Sequence, residues 1–269
     1  MTNQKTGEPV LLSIKDGVAI LTLNNASQRN SVNAPMAAAL NQRLDEVEAA
    51  RATLKGLLLV AEGEHFCVGG DIRYFEALLG QPEAMRSGLG ALISDLNRAV
   101  ARIDALPFPV IALVQGAAAG AGLSLALASD IVIATDDARF VMAYSGLGAT
   151  PDGGGSWSLP RRVGQQLALY MYLFNDPLDA EQARAAGLVA KVVSRSALQE
   201  TTQTLAQRLA QGSRPAQNAG KALIRRGMQT SLESALQNEK SQFLELATQS
   251  DFDEGVKAFG QKRPPHFTL

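Results

Sequence analysis

Three glycine-bearing junctions in this 269-residue chain have the residue types needed to bring bare backbone against a ligand. In HFCVGGDI, Gly69 and Gly70 separate an apolar run from a helix start at Asp71. In GAAAGAGLSLALASD, Gly116, Gly120 and Gly122 stand among alanines. Each glycine in a helix interior costs about 0.5–1 kcal/mol relative to alanine, so helix propensity does not account for this run. The glycines serve either close packing and sharp turning or the presentation of N–H groups. The third junction, ATPDGGGSWSLP, carries one carboxylate, Asp152. Amides at helix starts, beside the positive dipole ends, stabilise an enolate or a tetrahedral oxyanion. A single carboxylate beside them would move a proton or cap the helix that follows.

Other chemistries fit these residues less well. The order GxxxGxG departs from the dinucleotide fingerprint GxGxxG, and no GKS or GKT marks a P-loop. Gly122 to Ala126 approximates a GxSxG nucleophile elbow around Ser124, with His266 as the downstream histidine and Ala126 where the last glycine belongs. His65, His266 and Cys67 have no zinc-ligand spacing, so no metal is expected.

The junctions need a scaffold, and its elements are readable. VLLSI and VAILTLN flank Lys15, Asp16 and Gly17 and read as a β-hairpin. Asn33 caps a helix through about Ala52, with Pro35 in its first turn and Leu40, Leu44 and Val47 at helical spacing. LKGLLLVAEG and PVIALVQG are buried strands, and DIVIATD and ARFVMAY are two shorter ones. Strand, strand, helix recurs near residues 10–52, 56–105 and 109–128 with its following strands, a pattern that stacks parallel strands in successive turns. From Leu178 the chain reads as mostly helical. Apolar positions there, among them Leu205, Leu209, Leu232, Leu236 and Phe243, supply a face that docks on the core or on a partner subunit.

Composition narrows the class. With 46% hydrophobic and 19% charged residues the chain is neither disordered nor fibrous, and a net charge of -1 argues against a general nucleic-acid binder. Gln115, Ser124 and Asp130 interrupt the most apolar stretches, so no membrane span is expected. One cysteine cannot form an internal disulfide, and MTNQKTGEPV lacks the basic-then-apolar order of a signal peptide; both point to the cytoplasm.

The segments NNASQRNSVN, HFCVGGDI, PVIALVQGAAAGAGLSLALASDIVIATDDARF, GLGATPDGGG and AFGQKRPPHF together resemble the crotonase superfamily, the enoyl-CoA hydratase/isomerase family, over nearly the whole chain. The resemblance implies an α/β, ClpP-like spiral of ββα repeats over residues 1–200, holding the CoA-ester site. It also implies a helical oligomerisation region over residues 201–269 that makes a homotrimer or hexamer. The substrate would be an acyl-CoA thioester, with no separate cofactor. Its carbonyl would rest on the N–H groups of Gly70 and Ala121, the latter standing where glycine is commoner in the family. The family's two hydratase glutamates map to Ser124 and Tyr144, neither of which is a base near neutrality. Asp152 takes a third position, and FVMAYSGLGATPDGGGSW resembles isomerases of phenylacetate degradation that act on epoxyphenylacetyl-CoA and 3-enoyl-CoA esters. The expected activity is therefore isomerisation through an enolate, with Asp152 as acid/base; enoyl-CoA hydration and CoA-ester binding without turnover are the alternatives. Val68, Gly69, Asp71, Ile72 and Gly120 are expected around the thioester, with Asp71 and Asp130 also reading as caps or turn anchors. Tyr144 either lines the acyl pocket or packs beneath the loop, and the helix between Phe75 and Ile103 forms the pocket wall. Gln28, Arg29 and Lys262 read as contacts for CoA phosphates or as solvated surface, and Phe243 as a neighbour of adenine across a subunit boundary.

Overall fold

Turn chemistry sets the register of the first hairpin. Strands β1 (Val10–Lys15) and β2 (Val18–Leu23) pair antiparallel from Val10↔Leu23 to Lys15↔Val18, leaving Asp16 and Gly17 as a two-residue turn. Both turn residues have positive φ, 51° and 76°, as a type I′ turn requires. The computed structural model describes residues 7–268; MTNQKT, part of the stretch read for a signal peptide, and Leu269 lie outside the described residues.

Helix α1 (Ala34–Ala49) starts where expected, with Asn33 Oδ1 accepting the Met36 N–H at 3.0 Å, and ends before Ala52. Strand β3 (Gly56–Ala61) is followed by the short α2 (Ile72–Ala77) and the long α3 (Pro82–Ala105), two helices where one was expected. Next come β4 (Val110–Val114), β5 (Ala117–Ala119), α4 (Ala121–Leu127), β6 (Ile131–Thr135) and β7 (Arg139–Val141). After α5 (Gly155–Phe174), β8 (Leu178–Asp179), α6 (Ala180–Ala185) and β9 (Lys191–Val193), the chain closes with α7 (Leu198–Gln211), α8 (Arg214–Gly227), α9 (Leu232–Leu246) and α10 (Ser250–Gly260).

The strands form a six-stranded sheet in the order β1-β2-β3-β4-β6-β9, parallel apart from the hairpin, and a three-stranded sheet β5-β7-β8. The chain leaves the large sheet after β4 and β6, makes a strand of the small sheet, and returns through a helix. Isolated bridges Cys67↔Ala118 and Val32↔Gly70 carry the small sheet's pairing back to the earlier turns. This is the expected spiral of ββα repeats. Beyond Leu178 the chain is mostly helical, as expected, with two short strands added: β8 joins the small sheet and β9 completes the large one through β6.

Successive side chains on the large sheet go to opposite faces. Leu57, Leu59, Ala112 and Val114 enter the main core with α1 and α3, while Leu58, Ile111 and Leu113 meet Leu209 of α7. Burial on both faces explains why these strands read as unbroken apolar runs. Each of the leucine, isoleucine and valine side chains among them contributes about 1.5–3 kcal/mol of transfer free energy. A division at residue 200 therefore cuts α7, which packs with the core; α8 is the first helix beyond it, tied down by Lys221 and Arg225 against Asp130 at 2.7 and 2.8 Å.

Candidate active site

The two predicted amides arise from different local structures. Beside Gly70, the Val32 N–H donates to Gly69 O at 2.7 Å and the Asp71 N–H to Val32 O at 3.1 Å, so the neighbours are paired and the Gly70 N–H has no backbone acceptor. Ala121 is the first residue of α4, where an N–H has no acceptor within the helix. The preceding Gly120 has φ 51° and ψ -120°, and its own N–H is held by Val141 O at 3.0 Å. Both junctions meet at one place: a Cβ on Gly69, whose φ is 94°, would lie 3.7 Å from Ala121 N and 2.9 Å from Ala119 O.

Gly116 and Gly122 do other work. A Cβ on either would come within 2.2 Å of a carbonyl oxygen, Glu64 O and Cys67 O respectively. Close packing and amide presentation, alternatives in the sequence, divide the glycines between them. Cys67 itself is buried, and burial pushes its thiol up to about 12, so it acts as a small apolar side chain.

Asp152 does not cap α5 with its side chain; the N-cap is Gly154, and the Asp152 carbonyl accepts the Gly155 N–H at 3.0 Å. Its carboxylate instead receives the Tyr144 hydroxyl, at 2.6 Å to Oδ1. Ser124 Oγ, on α4, donates to the Asp152 carbonyl at 2.9 Å and lies 3.4 Å from the Tyr144 hydroxyl. The PDGGG loop folds onto Ser124 because it lacks side chains there: a Cβ on Gly153 or Gly155 would lie 2.9 Å from Ser124 Cβ or 2.7 Å from Ser124 Oγ. Burial raises the Asp152 pKa and the Tyr144 hydrogen bond partly opposes it. The Tyr144 phenol is raised further, by burial first and then by the neighbouring Asp152 charge, which keeps it a neutral donor.

Gly70, Ala121, Tyr144 and Asp152 line one cavity of about 950 Å³, and Val68, Gly69, Ile72 and Gly120 line it too. Leu92 and Leu96 of α3 form its far wall as expected. Phe75 was not anticipated: its ring covers Gly70, where a Cβ would meet Cζ at 2.5 Å. Nor was Ala143, which lines the cavity with φ 59°, a left-handed conformation rare for a side-chain-bearing residue, and so turns the chain ahead of Tyr144. No local sequence signal marks either one.

Several expectations are redirected. Asp71 caps α2 through the Arg73 N–H at 3.1 Å rather than lining the cavity. The Gln28 side-chain oxygen accepts from Asn25 and Asn33, at 2.9 and 3.0 Å, which fixes the amide in its loop. Arg29 is exposed beside the cavity's edge, its carbonyl accepting the Val68 N–H at 3.3 Å. Phe243 and Lys262 stand away from the cavity in this chain: Phe243 packs edge-on to Phe252 at 5.8 Å by a second, apolar cavity, and exposed Lys262 follows α10. Ser124 has no histidine beside it, since His65 Nδ1 accepts the Ala117 N–H at 3.2 Å and the His266 N–H donates to Glu254, so the hydrolase elbow falls. Among the described residues no cluster of acids, histidines or cysteines is placed to hold a metal, and no helix is long and apolar enough to cross a membrane.

Two amides without backbone acceptors and one carboxylate lining the same cavity suit chemistry on a carbonyl compound, and sequence likeness decides which kind. The enoyl-CoA hydratase/isomerase family model matches residues 13–269. The chain belongs to the enoyl-CoA hydratase/isomerase family. It is 39% identical over 264 residues to 1,2-epoxyphenylacetyl-CoA isomerase of Escherichia coli (strain K12), covering 97% of this chain and 98% of that one. To 2,3-dehydroadipyl-CoA hydratase of the same strain it is 36% identical over 259 residues, covering 96% and 98%. The crystal structure of an enoyl-CoA hydratase from Polaromonas sp. JS666 matches with a TM-score of 0.85 at 34% identity, over 96% of this chain and 99% of that one. The fold is that of crotonase, and the enoyl-CoA hydratase/isomerase family acts on acyl-CoA thioesters.

Proposed function

We propose that this family member is an acyl-CoA isomerase that shifts a double bond, or opens an epoxide, through an enolate. The observation that carries the reading is that Asp152 is the one carboxylate lining the cavity among the described residues. One acid/base suffices for a double-bond shift. Asp152 takes the proton from C2, the Gly70 and Ala121 N–H groups hold the charge that develops on the thioester oxygen, and the same carboxyl group returns the proton at C4. Its raised pKa suits that exchange, because a catalytic group works best with a pKa near the working pH. The CoA moiety arrives with the substrate, so no separate cofactor enters. Exposed apolar residues on the last helices support a homotrimer or hexamer, and the single buried thiol suits a reducing cytoplasm.

Hydration is the second reading, favoured by the 36% identity to a hydratase. Turnover of 3-enoyl-CoA by Asp152→Asn tests the proposal; a loss of about 10²–10⁴-fold is expected. Undiminished turnover would sink it, and rapid hydration of crotonyl-CoA by the wild type would favour the second reading. Failure of the wild type to exchange the C2 proton of a bound thioester with deuterium would leave a CoA-ester binder.

A further inference from the structure

We propose that Tyr144 is the positioning residue of this site, fixing Asp152 through Oδ1 so that Oδ2 alone is presented to the substrate. The inference rests on Asp152 being the acid/base. Tyr144 donates to Oδ1 at 2.6 Å, and among the described residues it is the one side chain hydrogen-bonded to this carboxylate, whose other protein partner is its own backbone N–H. Tyr144 is 7% exposed, so its ring is held by packing and the hydroxyl keeps a fixed place at the cavity wall. Its ring also backs the oxyanion turn, since a Cβ on Gly120 would lie 3.7 Å from Tyr144 Cζ. One side chain thus touches both halves of the machinery.

Ser124 completes the brace from another element. Its hydroxyl holds the Asp152 backbone while Tyr144 holds the carboxylate, so loop and side chain are fixed separately. Among the described residues, no ionisable group besides Tyr144 lines the cavity with Asp152. Asp95 and Arg98 on α3 pair with each other at 3.5 Å, Arg73 on α2 turns to Asp71 at 3.8 Å, Arg161 on α5 stacks on Trp157 at 4.2 Å, and α4 carries no charge. None of these charged groups lines the cavity. The Tyr144 hydrogen bond lowers the Asp152 pKa against the effect of burial, so its removal shifts ionisation to higher pH.

The test is the pH dependence of kcat and kcat/KM for 3-enoyl-CoA isomerisation by wild type, Tyr144→Phe, Ser124→Ala and Asp152→Asn. Tyr144→Phe should lose about 10- to 100-fold in kcat, the range of a hydrogen bond to a charged group, with a smaller change in KM and an acid limb displaced to higher pH. Ser124→Ala should lower kcat and leave the acid limb in place, because it frees the backbone and not the carboxylate. Fluorotyrosine at position 144 keeps the ring and donates more strongly, so it should move the limb the other way; this readout serves if the Phe variant folds poorly. Wild-type kcat and an unmoved limb in Tyr144→Phe, or an unmoved limb with fluorotyrosine, overturn the positioning role while Asp152 stands. Full activity in Asp152→Asn overturns both.

Discussion

Asp152, the acid/base of the proposed reaction, is also a liability to the fold. Its pKa lies above the ordinary carboxylate value because burial disfavours the charged form. Below about pH 3.9, the usual aspartate pKa, the carboxyl is neutral folded or unfolded and this effect vanishes. As pH rises through that value towards the folded pKa, the unfolded chain ionises first and stability falls; above the folded pKa the penalty is constant. Asp152→Asn keeps an acceptor for Tyr144 and removes the charge. It should melt higher than wild type at neutral pH, with the difference closing as the medium is acidified to pH 3–4; an unchanged or lower melting temperature at pH 7 would contradict the raised pKa. Asp152 was legible in the sequence because it is the lone acid in a glycine-rich turn. The roles of Tyr144 and Ser124 were not, because one depends on the positive φ of Ala143 and the other on a loop 28 residues downstream.

At the scale of elements, α4 is held at both ends. Its N-terminus is pressed on Cys67 O through Gly122, and the carbonyls at its C-terminal end, from Leu127 to Asp130, receive the Arg162 guanidinium from α5. A methyl group at Gly122 would meet backbone 2.2 Å away, and no rotamer relieves that contact. Gly122→Ala should therefore separate the two oxyanion junctions, lowering kcat/KM by about 10²–10³-fold, as loss of one donor does. It should also destabilise the fold by about 1–3 kcal/mol, the usual effect of overpacking. Gly90→Ala is the control: Gly90 is exposed in α3 with nothing within 4 Å of its Cβ position, and alanine there should stabilise by about 0.5–1 kcal/mol without changing turnover. Equal behaviour of the two variants in kinetics and thermal melts would contradict the close-approach argument. Elements with strong periodicity or turn chemistry, such as the hairpin and α1, were readable. The three-residue β5 and β9 were not: AAA has little strand preference, KVV is too short to show a period, and both exist through pairing with β7 and β6.

For the molecule as a whole, one apolar face finds no cover within a single chain. The sequence placed an apolar stripe on the C-terminal helices and left open whether it meets the core or a partner. Leu209 meets the core, but Leu232 is 75% exposed, Leu236 54% and Phe259 88%, and Ile224 and Met228 of the α8 end are open as well. Scattered exposed apolar residues are ordinary; a run of them along three successive helices is what the proposed homotrimer or hexamer would cover. That α8 is held to the core through Lys221, Arg225 and Asp130 gives this face a fixed position to present. Leu236→Glu combined with Phe259→Glu places two charges on it and should leave the interior untouched. Sedimentation velocity should find the wild type at three or six times the mass of one chain and the double variant smaller, with far-ultraviolet circular dichroism unchanged. A wild type that sediments as a single chain would remove the homotrimer and hexamer together. If the variant sediments like a trimeric or hexameric wild type, these helices are not the contact, and the exposed row on α5, from Leu169 to Phe174, becomes the face to substitute next.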